Sequence, residues 1–226
     1  LLYKIALTLI PGIGDVLGKK LVAYCGGPEA VFNEKKRQLE KIPGIGPAAI
    51  HNLLNNKHFK QAEEEIEFIE RKNIQPLFYL DKAYPKRLQH CADSPLMLYY
   101  KGNTDLNAAQ VVAVVGTRNA TEYGQQLCDK LVEGLKQSNV LIVSGLAYGI
   151  DTSAHRAALR HALPTVGVLG HGLDRIYPHS NKSLSEKMLN QGGLLTEFTS
   201  GTTPDKENFP RRNRIVAGMV DALVVV

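Results

Sequence analysis

Val111-Val112-Ala113-Val114-Val115-Gly116-Thr117-Arg118 is the stretch whose reading decides the fold. Five apolar residues without polar alternation suit a strand buried on both faces, and the run stops on a glycine. The pattern recurs at Val140 to Val143 before Ser144-Gly145, at Thr165 to Leu169 before Gly170-His171-Gly172, at Leu194 to Thr196 before Glu197, and at Ala222 to Val226. Helical spacing fills the gaps. In the first gap Tyr123, Leu127, Leu131 and Leu135 recur every four residues and are expected to form a buried stripe. Strands alternating with helices predict an α/β fold with a doubly wound, mostly parallel sheet.

Ligands of open α/β sheets bind outside the carboxyl ends of the strands. Four successive strands here end in small or polar residues: Gly116-Thr117-Arg118, Ser144-Gly145 with Gly149, Gly170 with Gly172, and Glu197 with the loop to Pro210. Glycine after a strand is often turn chemistry alone. Co-location with cations gives it a second meaning, because Arg118, Lys206, Arg211, Arg212 and Arg214 belong to the same loops, with Asn213 among them. Glycines let backbone N–H groups approach a phosphate, and arginine grips it bidentately, so the rim reads as a polyanion site.

Several enzyme readings fail on spacing. There is no G-x-x-x-x-G-K-[ST] loop, and no G-x-G-x-x-G follows the first strand. Ser144, Asp151 and His155 resemble a triad, but Ile142 and Leu146 stand where a nucleophile elbow needs glycine. His155 and His161 lie six apart, on different helix faces, so they do not form a metal pair. His155 is expected to hydrogen-bond between its helix and a loop.

Upstream, Ile10-Pro11-Gly12-Ile13-Gly14 recurs unchanged as Ile42-Pro43-Gly44-Ile45-Gly46. Apolar segments of helical spacing flank each copy, which predicts two helix-hairpin-helix units in a small all-α domain over residues 1–73. The hairpins are either phosphate sites at helix N-termini or plain αα turns. Lys19 and Lys20 follow the first copy and no cation closely follows the second, so Gly12, Gly14, Lys19 and Lys20 are the candidates for a secondary phosphate contact. The run Glu63-Glu64-Glu65 reads as a solvated helix face. Residues 74–107, with the strand-like Leu96 to Tyr100, read as an ordered connector padding one edge of the second domain, residues 74–226.

Composition bounds the rest. The 226 residues carry 27 Lys/Arg and 22 Asp/Glu, a formal charge of +5. Residues 1–73 hold 11 basic against 9 acidic groups, so a nucleic-acid site has to be a local patch. Cys25, Cys91 and Cys128 are scattered and odd in number, which indicates neither disulfides nor a thiolate metal site. No apolar run approaches membrane-spanning length, and Leu1 to Ile10 enters Pro11-Gly12 without a cleavage site. A cytoplasmic protein without membrane contact, metal or cofactor is expected.

The loops together resemble a known family. Gly116-Thr117-Arg118, Ser144 to Asp151, His155 to Leu159, Gly170 to Pro178 and Phe209 to Gly218 are similar, in order, to the motifs of the DNA-processing protein A (DprA/Smf) family. The resemblance covers about residues 75–226, and Thr117 stands where the family most often has serine. It implies an extended Rossmann-like domain continuing past Val226, preceded by a SAM-like helical domain. It further implies single-stranded DNA binding without sequence preference, protection of the strand, and RecA loading in natural transformation, with a homodimer in the full-length protein. On this resemblance Arg118 grips a phosphate, Lys206 and Arg211 to Arg214 line the rim, and Phe209 stacks on a base, its alternative being a buried loop anchor. The rival reading is a related nucleotide hydrolase that cleaves an N-glycosidic bond with Glu197 as acid/base.

Overall fold

The computed structural model describes residues 1–55 and 57–226. Its N-terminal part is helical: α1 (Leu2–Thr8), α2 (Asp15–Cys25), α3 (Pro28–Asn33), α4 (Lys36–Leu39), α5 (Pro47–Leu54) and α6 (Phe59–Lys72). The repeated pentapeptides make the same turn. Ile13 N–H donates to the Ile10 carbonyl at 3.1 Å, and Ile45 N–H to that of Ile42 at 3.4 Å. Gly12 and Gly44 stand at φ +86° and +91°, where a side chain is strained. Gly14 and Gly46 are the N-caps of α2 and α5.

The buried face of α6 includes an acidic residue. Ala62, Phe68 and Ile69 are buried, and so is Glu65, only 5% exposed. This corrects the reading of the acidic run as wholly solvated: Glu63 and Glu64 face solvent, whereas Glu65 turns inward.

Past Lys72 the chain enters the sheet through β1 (Gln75–Phe78), α7 (Lys86–Gln89) and β2 (Met97–Gly102). The connector therefore supplies strands as well as padding. Phe78, Leu96, Met97 and Tyr99 share one apolar cluster with Ile5, Leu21 and Leu53, so the helical core continues into the sheet edge. The alternating region follows as β3 (Val111–Val115), α8 (Glu122–Gly134), β4 (Leu141–Ser144), α9 (Ile150–Arg160), β5 (Thr165–Val168), α10 (Lys182–Gln191), β6 (Gly192–Thr196), α11 (Asn208–Gly218) and β7 (Ala222–Val225). Strand order is β1-β2-β6-β5-β4-β3-β7. The five strands from β6 to β7 run parallel, while β1 and β2 are antiparallel additions. The mostly parallel, doubly wound sheet is present.

The stripe expected on α8 is corrected. Tyr123 is 74% exposed and Leu127 is also exposed, whereas Cys128 and Val132 are fully buried. The reason is close helix packing. A Cβ on Gly124 would lie 3.5 Å from Ile150 of α9, so the small-residue row Gly124, Cys128, Val132 takes the contact that the larger row could not fit.

Candidate nucleic-acid interface

Arg118 is placed by the backbone of the neighbouring loop. Ile150 N–H donates to the Thr117 carbonyl at 3.1 Å, and Thr117 Oγ1 accepts from Asn119 N–H at 3.2 Å. The Thr117–Arg118 peptide lies directly on Gly149, which has φ +76° and no room for a Cβ. Held this way, Arg118 is exposed, and among the described residues no carboxylate pairs with it. Its guanidinium carbon sits 5.5 Å from the centre of the Phe209 ring. Tyr177 approaches the same ring at 5.9 Å, tilted by 38°.

Phe209 begins a face of α11 that looks into the cleft. Phe209, Arg212, Asn213 and Val216 line a cavity of about 450 Å³ together with Gly116, Thr117, Arg118, Gly145 and Asp151. A narrower pocket of about 30 Å³ opens on the other side of Arg118 and Phe209, bounded by Tyr148, Gly170, His171 and Tyr177. Tyr148 and Tyr177 are exposed aromatic groups at this rim that residue-type reasoning did not select. Their signal was present, since each stands in a glycine-containing loop after a strand.

The glycines are there for a different reason than expected. Gly145 N–H and Ala147 N–H donate to Asp151 Oδ2 at 3.1 and 3.3 Å, and Gly172 N–H donates to the Thr202 carbonyl at 3.3 Å. The Gly145 and Gly172 donors are spent inside the protein, which corrects the assignment of these two glycines as phosphate ligands. What Gly145 provides is space, because a Cβ there would strike the Arg212 guanidinium. A Cβ on Gly170 would stand 3.1 Å from the Phe209 ring. Ser144 likewise turns inward, its hydroxyl donating to the Val114 carbonyl at 2.6 Å.

The basic cluster divides by helix face. Arg212, 4% exposed, donates through Nη1 to the carbonyls of Gly145, at 2.5 Å, and Val168, tying the ends of β4 and β5 together. Burial lowers its pKa while the Asp151 carboxylate opposes that shift, and the same burial raises Asp151. Arg211 and Arg214, three residues apart, turn the other way. Arg214 Nη2 lies 2.5 Å from Glu197 and 3.0 Å from Asp15, and Arg211 Nη2 lies 2.9 Å from Glu197. The expectation that residues 211 to 214 offer a free cationic rim is therefore corrected: Arg211 and Arg214 are ion-paired away from the cleft, the former still half exposed, and Arg212 is buried in the cleft wall beside Asn213. Lys206 is exposed on the turn before α11 and lines neither cavity.

Glu197 faces that ion cluster, not the cleft. Its side chain is 3% exposed and it borders a separate cavity beneath the first hairpin, with Asp15 and Ile13. Burial raises its pKa, while Arg214 and then Arg211 pull the other way. The hydrolase alternative thereby loses the acid it placed at the substrate. The triad arrangement fails too, because Nδ1 of the buried His155 meets the Thr165 hydroxyl at 2.7 Å, a contact with β5 and not with a loop.

The first hairpin is corrected as well. Asp15 Oδ1 accepts from Leu96 N–H at 2.9 Å, and Lys19 Nζ donates to Ser94 Oγ at 2.5 Å, above the Tyr79 ring. Lys19 is thus committed to the connector, and burial lowers its pKa. Lys20 remains exposed and reaches the second hairpin, its Nζ 3.8 Å from where a Cβ on Gly44 would be. Gly12 and Gly14 are exposed at the turn itself. Among the described residues no group of three His, Cys, Asp or Glu could hold a metal ion, and no helix is long and apolar enough to cross a membrane.

Comparison with known proteins identifies the family. A family profile described as DNA recombination-mediator protein A matches residues 75–226. The Smf protein of Synechocystis sp. is 36% identical over 228 residues, 99% of this chain and 57% of that protein. DNA processing protein DprA of Streptococcus pneumoniae is 44% identical over 146 residues, 65% of this chain and 51% of that protein. The chain spans about half the length of these relatives. The X-ray structure of the S. pneumoniae protein superposes with a TM-score of 0.80 at 33% identity, over 99% of this chain and 75% of that one. A structure of DNA processing protein A from Helicobacter pylori, concerned with that protein's unique single-stranded DNA binding mode, superposes at 0.61 with 31% identity, over 67% and 68%. The chain belongs to the DNA recombination-mediator protein A family.

Proposed function

We propose that this chain binds single-stranded DNA without sequence preference across the Arg118 and Phe209 cleft. The bound strand is shielded from nucleases and handed to the RecA recombinase in natural transformation and homologous recombination. The observation that carries the reading is an unpaired guanidinium lying over an aromatic ring that a second, exposed ring extends. An arginine neutralises a phosphate whatever the base, and every base has a face that stacks on an aromatic ring, so the combination favours an unpaired strand of any sequence. Duplex DNA keeps its bases inside and forfeits the stacking. The Helicobacter pylori relative supports the same substrate class. RecA contact, homodimer assembly and a cytoplasmic setting are carried over from the family resemblance. In this reading the protein works as a binder, not an enzyme, and needs neither nucleotide nor metal.

The test is a titration of the chain with labelled single- and double-stranded oligonucleotides of several sequences, with EDTA present, at a series of salt concentrations. The expected result is a marked preference for single strands, indifference to sequence, and affinity that falls linearly in log–log form with salt. Equal affinity for the duplex, or binding that collapses with EDTA, contradicts the proposal.

A further inference from the structure

We infer that Glu65 of α6 is a positioning residue for the strand-binding cleft, fixing the turn at Ser200 and through it the segment that carries Lys206 and Phe209. The inference rests on the reading that Phe209 stacks on a bound base. A buried carboxylate is costly unless its oxygens are satisfied, so its partners show what its burial secures. All of its hydrogen bonds go to one residue: Ser200 N–H donates to Oε1 at 3.1 Å and to Oε2 at 3.0 Å, and Ser200 Oγ donates to Oε2 at 2.5 Å. The other acidic residues of the same helix, Glu63, Glu64, Glu67 and Glu70, are exposed.

The turn is gripped from its far side as well. Asp174 Oδ1 accepts from Gly201 N–H at 3.1 Å, and the Thr202 carbonyl accepts from Gly172 N–H. From there hydrogen bonds run onward to the start of α11. Asp205 N–H donates to the Thr203 carbonyl, Asn208 Nδ2 donates to that same carbonyl, and Asn208 N–H donates to the Asp205 carbonyl. Phe209 is the next residue. This segment belongs to no strand ladder, so the two carboxylates and the short bonds downstream set where it lies. Tyr177, which meets Phe209, follows Asp174 in the same loop, so the Ser200 turn also registers the two aromatic rings against each other. The helical part thereby acts on the DNA site from behind, through a residue that touches no DNA.

The experiment uses the whole chain and an oligonucleotide carrying 2-aminopurine, whose fluorescence reports stacking, with denaturant unfolding of every variant in parallel. Phe209→Ala is expected to weaken binding about 5-fold or more and to abolish the stacking signal, since one stacked base is worth ~1–3 kcal/mol. Glu65→Ala is expected to weaken binding several-fold with the same loss of signal, and to add nothing in a Phe209→Ala background. Glu65→Gln, which keeps an acceptor for Ser200 N–H, should restore most of both. Where Glu65→Ala fails to fold, Ser200→Ala removes the hydroxyl bond from the loop side and should show a smaller loss of the same kind. A folded Glu65→Ala or Ser200→Ala that stacks and binds like the parent, while Phe209→Ala does not, overturns the positioning role and leaves the DNA reading standing. A Phe209→Ala that binds and stacks like the parent removes the reading and the inference with it.

Discussion

Arg118 after β3 and Arg212 within α11 both reach the rim of the sheet, yet burial gives them opposite tasks. Arg118, exposed and unpaired, keeps its charge available to a ligand, whereas Arg212 spends Nη1 on two carbonyls and holds the sheet's rim together. His155 is a third residue whose role burial decides. It is fully enclosed, its Nδ1 lies 2.7 Å from the Thr165 hydroxyl, which also bonds the Ile142 carbonyl, and among the described residues its Nε2 has no partner. Burial first, and the nearby Arg212 charge second, push its pKa down to about 3. An unfolded histidine titrates near 6.5, so between those values the unfolded chain binds the extra proton. Stability contributed by His155 is therefore complete above about pH 6.5 and is lost as pH falls toward 3, with a slope approaching ~1.4 kcal/mol per unit. Urea unfolding of the parent and of His155→Gln at pH 7.5, 6.5 and 5.5 should show a stability gap that narrows with acid. A gap independent of pH contradicts the buried neutral assignment.

At the scale of elements, α11 shows what residue order can and cannot reveal. That three arginines fall in four positions is plain from the sequence, and helical spacing puts 211 and 214 on one side and 209, 212, 213 and 216 on another. Which side faces the cleft depends on Asp15 and Glu197, far away in the chain, and no local pattern carries that. The same limit explains α8, where two rows at four-residue spacing competed and the row with the smaller side chains packed. The parallel strands β3 to β6 were legible because strands buried on both faces leave unbroken apolar runs, whereas β7 carries the same kind of run at the sheet edge and is largely exposed. Glu65 was not legible, because its partner Ser200 is brought to it only by the tertiary fold. Arg214→Ala should leave the buried Glu197 with Arg211 alone and lower unfolding stability by roughly 2 kcal/mol or more, while the salt dependence of DNA binding stays as in the parent. A flattened salt slope with unchanged stability would place Arg214 on the strand instead.

For the whole molecule, the helical part and the sheet share core, ion pairs and hydrogen bonds. Lys4 meets Asp81 at 2.8 Å, Lys19 meets Ser94, Asp15 meets Arg214, and Glu65 meets Ser200. Asp15 and Lys19 after the first hairpin are taken up by this interface, and the cleft at the other side of α11 remains open with Arg118 exposed on it and, among the described residues, unpaired with any carboxylate. In the proposed function this cation holds a phosphate of single-stranded DNA. That contact is tested most directly by the salt dependence of oligonucleotide affinity for Arg118→Ala beside the parent, both verified as folded by circular dichroism. Loss of one phosphate contact predicts weaker binding, most so at low salt, and a log–log slope shallower by about 0.7. Affinity and slope equal to the parent's at every salt concentration would contradict it.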